Sequence, residues 1–427
     1  MKKTKKILIS VFTLVFCFVF LLSFVSAKDN QSERIGNFNN PKGRVFSAAK
    51  RGDARYFPEN SAEGIRFCAE KGIDIVQIDL QKTKDDKYIL MKDTNLERMT
   101  LHRDGSSSKV NIKDETLENI KQNYLLKEGH GGPLAKPTKL QIATFEEAID
   151  IAKNRCMLLV DIDFNDAFAV NNIVKNKGAT DFVILRGAKN ADEVSKFTKS
   201  AGLPACPVSS VYTQSTKGSA KKFSDASITA GANCVTVLSS KKSPFKQKTT
   251  DILKDKGRAI VDMSSPELCG GLEDNEKGWQ EMMSAGFGII ESDYPIELAQ
   301  YLEQTTAKRG SLLALINNVE GLNINAYSND SAKKLQNALS EAKEKTQVLK
   351  TPLNELKKAS YDLQEAVYHL EIRTEQDDKE NRNKIITIVV FVIIAVVTLG
   401  GYFLFRKKNP KAQASNKKKK TNNRQTK

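Results

Sequence analysis

The chain has 427 residues, 28% of them charged, and a formal net charge of +16. That charge would suggest a nucleic-acid partner until it is located: Lys2, Lys3, Lys5 and Lys6 supply four positives, and residues 406–427 supply ten with no acid among them. The chain between these two blocks is close to neutral, so composition gives no ground for nucleic-acid binding, and the length rules out a small stapled scaffold.

The first predicted element is a leader. Residues 7–25, ILISVFTLVFCFVFLLSFV, form an apolar run behind a basic start, and Val25-Ser26-Ala27 supplies the small residues that signal peptidase needs, which predicts a signal peptide over 1–27. The same run is long enough to stay as an anchor if it is not cleaved.

From Gly43 to about Leu302, short apolar β-like runs alternate with amphipathic stretches. Strands are expected over 45–49, 73–80, 88–91, 157–162, 182–185, 207–212, 234–238, 259–263 and 288–291. Helices are expected over 62–71, 145–153, 191–201 and 279–285, the second opened by a capping box of Thr144 and Glu147. Strand hydrophobicity that is continuous rather than alternating indicates a parallel sheet covered on both faces. Over about 260 residues the closed (β/α)8 TIM barrel is the economical α/β fold, and a doubly wound open sheet is the alternative. Residues 95–140 break the rhythm as a long, polar, glycine-bearing insertion over the barrel mouth.

Residues 311–370 carry helical spacing without strands, in Leu335, Leu339 and Ala342 and then Leu353, Leu356, Leu363, Val367 and Leu370. Ser331 serves as an N-cap and Pro352 as a helix start, and a three-helix bundle follows. The segment YSNDSAKKLQNALSEAKEKTQVL with LKKASYDLQEAVYHLE resembles the FIVAR modules of Gram-positive surface proteins. Residues 371–384 form a charged stalk, and 385–405, IITIVVFVIIAVVTLGGYFLF, are long enough to span a bilayer core. Arg406-Lys407-Lys408 places the tail 406–427 in the cytoplasm by the positive-inside rule, and with it 28–384 outside the cell. The lysine-rich tail suits anionic lipid at the inner leaflet.

The six cysteines show no CxxC pair. Cys17 lies in the leader, and Cys68, Cys156, Cys206, Cys234 and Cys269 read as small apolar residues on buried elements.

In a parallel barrel the functional side chains sit at the C-terminal ends of strands. Here those are Lys50, Arg51, Gln77, Asp79, Lys92, Asp93, Asp161, Asp163, Arg186, Asp262 and Asp293, a set with cations to hold a phosphate and carboxylates to hold a hard cation.

Arg51-Gly52 with Pro58-Glu59-Asn60-Ser61, GIDIVQIDLQKTKDDKYILMKDTNLERMT over 72–100, Thr144-Phe145-Glu146-Glu147, LLVDID over 158–163 and GIIESDYP over 288–295 resemble, in order, the glycerophosphodiester phosphodiesterases. The resemblance covers roughly 43–302 and implies a TIM barrel that hydrolyses glycerophosphodiesters with a divalent cation, calcium or magnesium. It implies two histidines as general acid and base, at positions that hold Lys50 and Lys92 here. The implied metal set, a Glu-x-Asp pair and a later glutamate, is matched by Gln77, Asp79 and Asp161, and Asp163 stands where the family has a lysine.

Lysine, with a pKa near 10.4, stays protonated where histidine would shuttle protons, so Lys92 cannot accept a proton from a nucleophile. Gln77 removes a ligand charge, which weakens or abolishes metal binding, and Asp79, Asp161 and Asp163 are then free to neutralise Lys50 and Lys92. Lys50, Arg51 and Lys92 are therefore expected to converge at the mouth as an anion grip. The leading expectation is a membrane-anchored, extracellular protein that binds glycerophosphodiesters, anionic wall polymers or lipid head groups with weak or no hydrolysis. The rivals are an active phosphodiesterase using lysines of depressed pKa, and an adhesin-like protein with the barrel as scaffold. Arg51-Gly52-Asp53 spells an adhesion tripeptide, and His102 and His130 lie in the insertion as candidates for a displaced base, with His369 in the helical module.

Overall fold

The computed structural model describes residues 31–106, 108–253, 255–374 and 378–379. The expected signal peptide, the span 385–405 and the tail 406–427 lie outside these residues, as does most of the stalk. No helix among the described residues is long and apolar enough to cross a membrane.

Eight parallel strands close into a barrel. They are β1 (Phe46–Ala49), β2 (Ile75–Lys82), β6 (Met157–Asp161), β7 (Val183–Ala188), β8 (Val208–Tyr212), β9 (Cys234–Val237), β10 (Arg258–Asp262) and β11 (Ile289–Ser292), with β11 pairing back to β1. Nearly every strand residue is buried, as expected of strands covered inside and out. The helices Ala62–Glu70, Phe145–Ala152, Ala167–Asn176, Ala191–Ser200, Ala220–Thr229 and Glu276–Ser284 occupy the crossovers. Thr144 and Glu147 form the expected capping box. The five described cysteines are free and buried.

One expected strand has a different role. β3 (Tyr88–Leu90) is antiparallel to β2, with Leu80 beside Leu90 and Lys82 beside Tyr88, so it is a hairpin arm and not a barrel stave. Only five residues, 83–87, separate the two, turning at Asp86 with φ +58°, and a parallel crossover needs a dozen or more. Lys92 therefore reaches the mouth by way of a hairpin.

The insertion is a packed unit. β4 (Thr100–His102) pairs antiparallel with β5 (Tyr124–Leu126), the helix Leu117–Asn123 precedes β5, and Ile89, Leu96, Met99, Ile112, Ile120 and Leu126 share a core of their own.

At the opposite, N-terminal end of the barrel, the helix Gln31–Asn39 acts as a plug that the sequence pattern did not reveal. Gln31 Nε2 donates to the carbonyls of Ala152 and Cys156, and Arg34 Nε lies 3.1 Å from Asp74. Arg258, only 1% exposed, spreads its guanidinium over the carbonyls of Asn37, Phe38, Asn40, Arg44 and Gly288 at 2.6–3.2 Å.

Beyond β11 come three helices, Pro295–Glu320, Asn329–Gln347 and Leu353–Tyr368. The first runs unbroken through 302–311, where the sequence reading ended the barrel. The described chain divides into two compact units, residues 31–313 with Glu344–Lys358 and the remainder from 314 to 343 and from 359 onward. In the first, Arg309 donates to the carbonyls of Lys345, Thr346, Val348, Leu349 and Thr351, capping a helix end. In the second, Leu335, Ala342 and Leu363 are buried and Lys343 pairs with Glu320 at 2.6 Å.

Replacing Arg258 by Ala removes a donor from five carbonyls, of which Asn37, Asn40 and Gly288 keep a backbone N–H, and each lost hydrogen bond costs on the order of 1 kcal/mol. The expected result is a loss of on the order of 3 kcal/mol or more, read as a lower urea midpoint.

Candidate functional site

Five barrel strands deliver charged side chains to the C-terminal rim, and the parallel register decides which of them meet. Asp161 lies beside Arg186, and Asp262 beside Glu291. Arg186 is 4% exposed and grips two carboxylates, donating Nε and Nη2 to Asp161 and Nη1 and Nη2 to Glu291, with Nη2 at 3.0 Å and 3.1 Å respectively. Lys50, just after β1, extends the chain of charges, its Nζ 2.5 Å from Asp262 Oδ2 and 3.5 Å from Glu291 Oε2. Burial works to strip the Lys50 proton, but the charges of Glu291 and Asp262 prevail and raise its pKa above the ordinary value.

A second cluster forms where the 51–61 loop meets β2. Arg51 adopts φ +52° and Asn60 φ +58°, both uncommon for residues with a Cβ, and the Asn60 amide donates to the Arg51 carbonyl at 2.9 Å. The Arg51 side chain reaches Asp79 Oδ2 at 3.1 Å and Glu59 Oε2 at 3.2 Å. Asn60 grips Asp79 twice, donating Nδ2 to its carboxylate and accepting its backbone N–H. Lys92 Nζ takes Asp79 Oδ1 at 3.1 Å. Burial pushes the Asp79 carboxyl up, yet Lys92, Arg51 and Lys50 bring it down to about 2.

Glu59, with no exposed surface on its side chain, is the anchor of a third group. It accepts from Arg51, from Arg98 Nη2 at 2.6 Å and from His130 Nδ1 at 2.7 Å. Burial opposes its ionisation, but His130, Arg98 and Arg51 hold it at about 2, and the same hydrogen bond raises the His130 pKa. The insertion is shaped for this contact. Gly131 has φ +68°, and a Cβ there would lie 2.3 Å from the Arg98 carbonyl oxygen, so only glycine fits beside the histidine. Asp293, pushed up to about 6 chiefly by burial, feels the His130 charge.

Lys50, Arg51, Lys92, Asp79, Asp161 and Asp163 therefore line one cavity of about 1210 Å³, as the strand-end reading expects, with Gln77 fully buried. The pairing differs from expectation. Asp79 neutralises Lys92, but Lys50 is held by Asp262 and Glu291, Asp161 belongs to Arg186, and exposed Asp163 accepts the Asn165 amide at a short 3₁₀ turn. Glu291 and Glu59 were missed. Glu291 was legible as the one charge ending an apolar strand, whereas Glu59 and His130 are 71 residues apart and nothing local links them. His102 pairs with Asp104 within the insertion, and His369 with Glu365 at 3.5 Å. Asp53 is buried and bound by Arg55, so the adhesion tripeptide is not displayed.

The implied metal set does not fit a divalent cation in this arrangement. Gln77 Oε1 accepts the Arg51 N–H, which fixes the amide orientation and leaves Nε2, a donor without a partner among the described residues, where a cation would need a lone pair. Both Asp79 oxygens and both Asp161 oxygens already face cationic side chains. No group of three or more metal-binding side chains is formed among the described residues.

A closed eight-strand barrel with its charges gathered at the C-terminal rim defines a TIM-barrel domain, and residues 51–225 match the model of the Glycerophosphoryl diester phosphodiesterase family. The match runs from the loop after β1 into the helix that follows β8. Among curated proteins, the chain is 33% identical over 137 residues to the glycerophosphodiester phosphodiesterase of Bacillus subtilis, covering 30% of this chain and 43% of that protein. It is 33% identical over 102 residues to glycerophosphodiester phosphodiesterase 1 of Rattus norvegicus, covering 24% and 29%. The chain thus spans less than half the length of these relatives. A glycerophosphoryl diester phosphodiesterase structure from Parabacteroides distasonis aligns with TM-score 0.50 and 20% identity, over 64% of this chain and 91% of that one, a likeness of fold.

Glu59 is depressed from 4.5 in the unfolded chain to about 2 in the fold, so its stabilisation is complete above 4.5 and drains away as pH falls toward 2. At 1.36 kcal/mol per unit this is on the order of 3 kcal/mol. Denaturant unfolding measured from pH 7 down to pH 2 is expected to show this loss, and Glu59→Gln to flatten it while lowering stability at pH 7.

Proposed function

We propose that this protein is a membrane-anchored, extracellular barrel that binds phosphodiester-containing ligands, such as glycerophosphodiesters or anionic polymers, and hydrolyses them weakly or not at all. The observation that carries this reading is the state of Lys50. It stands where the family resemblance implies a histidine, and two buried carboxylates keep it an ammonium at neutral pH. Acid and base groups each typically supply about 10²- to 10⁴-fold in rate, and neither Lys50 nor Lys92 can serve as a base while paired with a carboxylate. Membrane attachment rests on the apolar run 385–405 with Arg406-Lys407-Lys408 behind it.

A second reading, an active phosphodiesterase, is favoured by His130. Its imidazole is oriented by a buried carboxylate, is half-exposed, and lies near Asp293, whose carboxyl is pushed up to about 6 chiefly by burial, so the rim still carries candidate proton-transfer groups.

The two readings separate in a hydrolysis assay of the full-length chain on glycerophosphocholine, with calcium, magnesium or chelator. No release above the buffer blank is expected in any condition, and calcium is expected to leave the melting temperature unchanged. Metal-dependent turnover at ordinary enzyme rates, lost in His130→Ala, establishes the second reading. Replacing Lys50 and Lys92 by His is expected to restore nothing without Gln77→Glu, since the base and the metal set are both missing.

A further inference from the structure

Lys50, Arg51 and Lys92 are poorly placed to take a phosphate. Each is already bound to a carboxylate that is 0–3% exposed, and a phosphate that displaced that carboxylate would leave it buried and unpaired. The charges lining the cavity show where an anion would find free cations. Lys50, Arg51, Lys92 and Arg186 are matched in number by Asp79, Asp161, Asp163 and Asp262, and the surplus consists of Lys189, Lys217 and Lys222. Among the described residues none of these three ammonium groups has a carboxylate partner, and all three are exposed. Glu193, four residues beyond Lys189, accepts the Lys189 backbone N–H and the Asn190 side-chain amide.

Lys189 and Lys217 come from the loops that follow β7 and β8, and Lys222 from the first turn of the helix Ala220–Thr229 after β8. The hydroxyls of Thr213, Ser215 and Thr216 line the same cavity. The helix Ala220–Thr229 begins there with no acid in its first turn, so its positive end adds to the lysine field. A volume of about 1210 Å³ exceeds the roughly 300–1,000 Å³ usual for a single small ligand.

We infer that the anion site of this barrel lies at Lys189, Lys217 and Lys222, and that it takes a ligand carrying several phosphate groups in a row without a metal ion. The inference rests on the phosphodiester-binding reading and moves its centre from the strand ends to the loops. The strand-end cations then serve to hold the barrel mouth together, and Lys92, 45% exposed on its side chain, marks the far edge of the ligand's path.

Calorimetric titration of the full-length chain with inorganic tripolyphosphate and with orthophosphate, in chelator at two salt concentrations, tests this. Tripolyphosphate is expected to bind more tightly than orthophosphate, with an affinity that falls as salt rises. The K189Q/K217Q/K222Q variant is expected to weaken tripolyphosphate binding by roughly tenfold or more and to keep the wild-type melting temperature, because the three side chains are exposed. Lys92→Gln is expected to change the affinity by less than about threefold. Wild-type affinity in the triple variant, or a larger loss in Lys92→Gln than in the triple variant, overturns the placement while leaving phosphodiester binding standing. If neither probe binds the wild-type chain, the placement falls, whereas turnover in the hydrolysis assay leaves the placement standing and overturns only the weak or absent hydrolysis of the proposed function.

Discussion

The barrel mouth depends on the guanidinium of Arg186 spanning Asp161 and Glu291. With Lys50 bridging Glu291 to Asp262, it ties β6, β7, β10, β11 and the end of β1 into one chain of alternating charge. Buried charges of this kind cost several kcal/mol each in desolvation and repay it only when every one is paired. In this rim the pairing is dense: the Arg186 donors are shared between two carboxylates, and Asp262 also accepts from the Ser264 amide and hydroxyl. Removing any member strands the others, so the rim behaves as one unit.

That unit determines what the site can do. A hydrolytic centre for phosphodiesters needs a group that gives up and takes back a proton near neutral pH, together with a positive charge that the protein has not already satisfied. The floor of this mouth offers neither, because its cations are held in the charged state by the carboxylates they are paired with. The carboxylates suited to a hard cation are consumed in the same exchange. An imidazole oriented by a buried carboxylate occurs at the insertion, and cations without carboxylate partners among the described residues occur in the segments after β7 and β8. The three requirements that a metal-dependent phosphodiesterase combines at one point are here spread around the rim.

Much of this was legible in the sequence. Continuous apolar strands with helices between them indicated a parallel barrel, and the rule that function sits at strand ends put Lys50, Arg51, Asp79, Lys92 and Asp161 on one cavity. The misreadings have physical causes. The 88–91 run looks like a stave by hydrophobicity, and only the five residues before it, too few for a crossover, mark it as a hairpin arm. Lys50 was expected to pair with acids of β2 and β6, but closure of the barrel makes β11 the neighbour of β1, and that adjacency is invisible to any local pattern. The helix Gln31–Asn39 escaped notice because polar residues, Gln31 and Arg34, do much of its anchoring.

The Arg258 plug also bears on how the chain acquires its fold. The helix Gln31–Asn39 is among the first described segments to be made, yet the guanidinium that satisfies its last carbonyls lies 220 residues downstream of Phe38. At synthesis rates of about 5–20 residues per second, that interval is roughly 10–40 s during which the helix has no cap and the barrel has no floor. Partial barrels, in which the early strands are present but β10 is not, lack the contact that fastens the first element. Closure is thus a late event, since fastening the first helix waits for this arginine and sealing the barrel waits for β11 to reach β1.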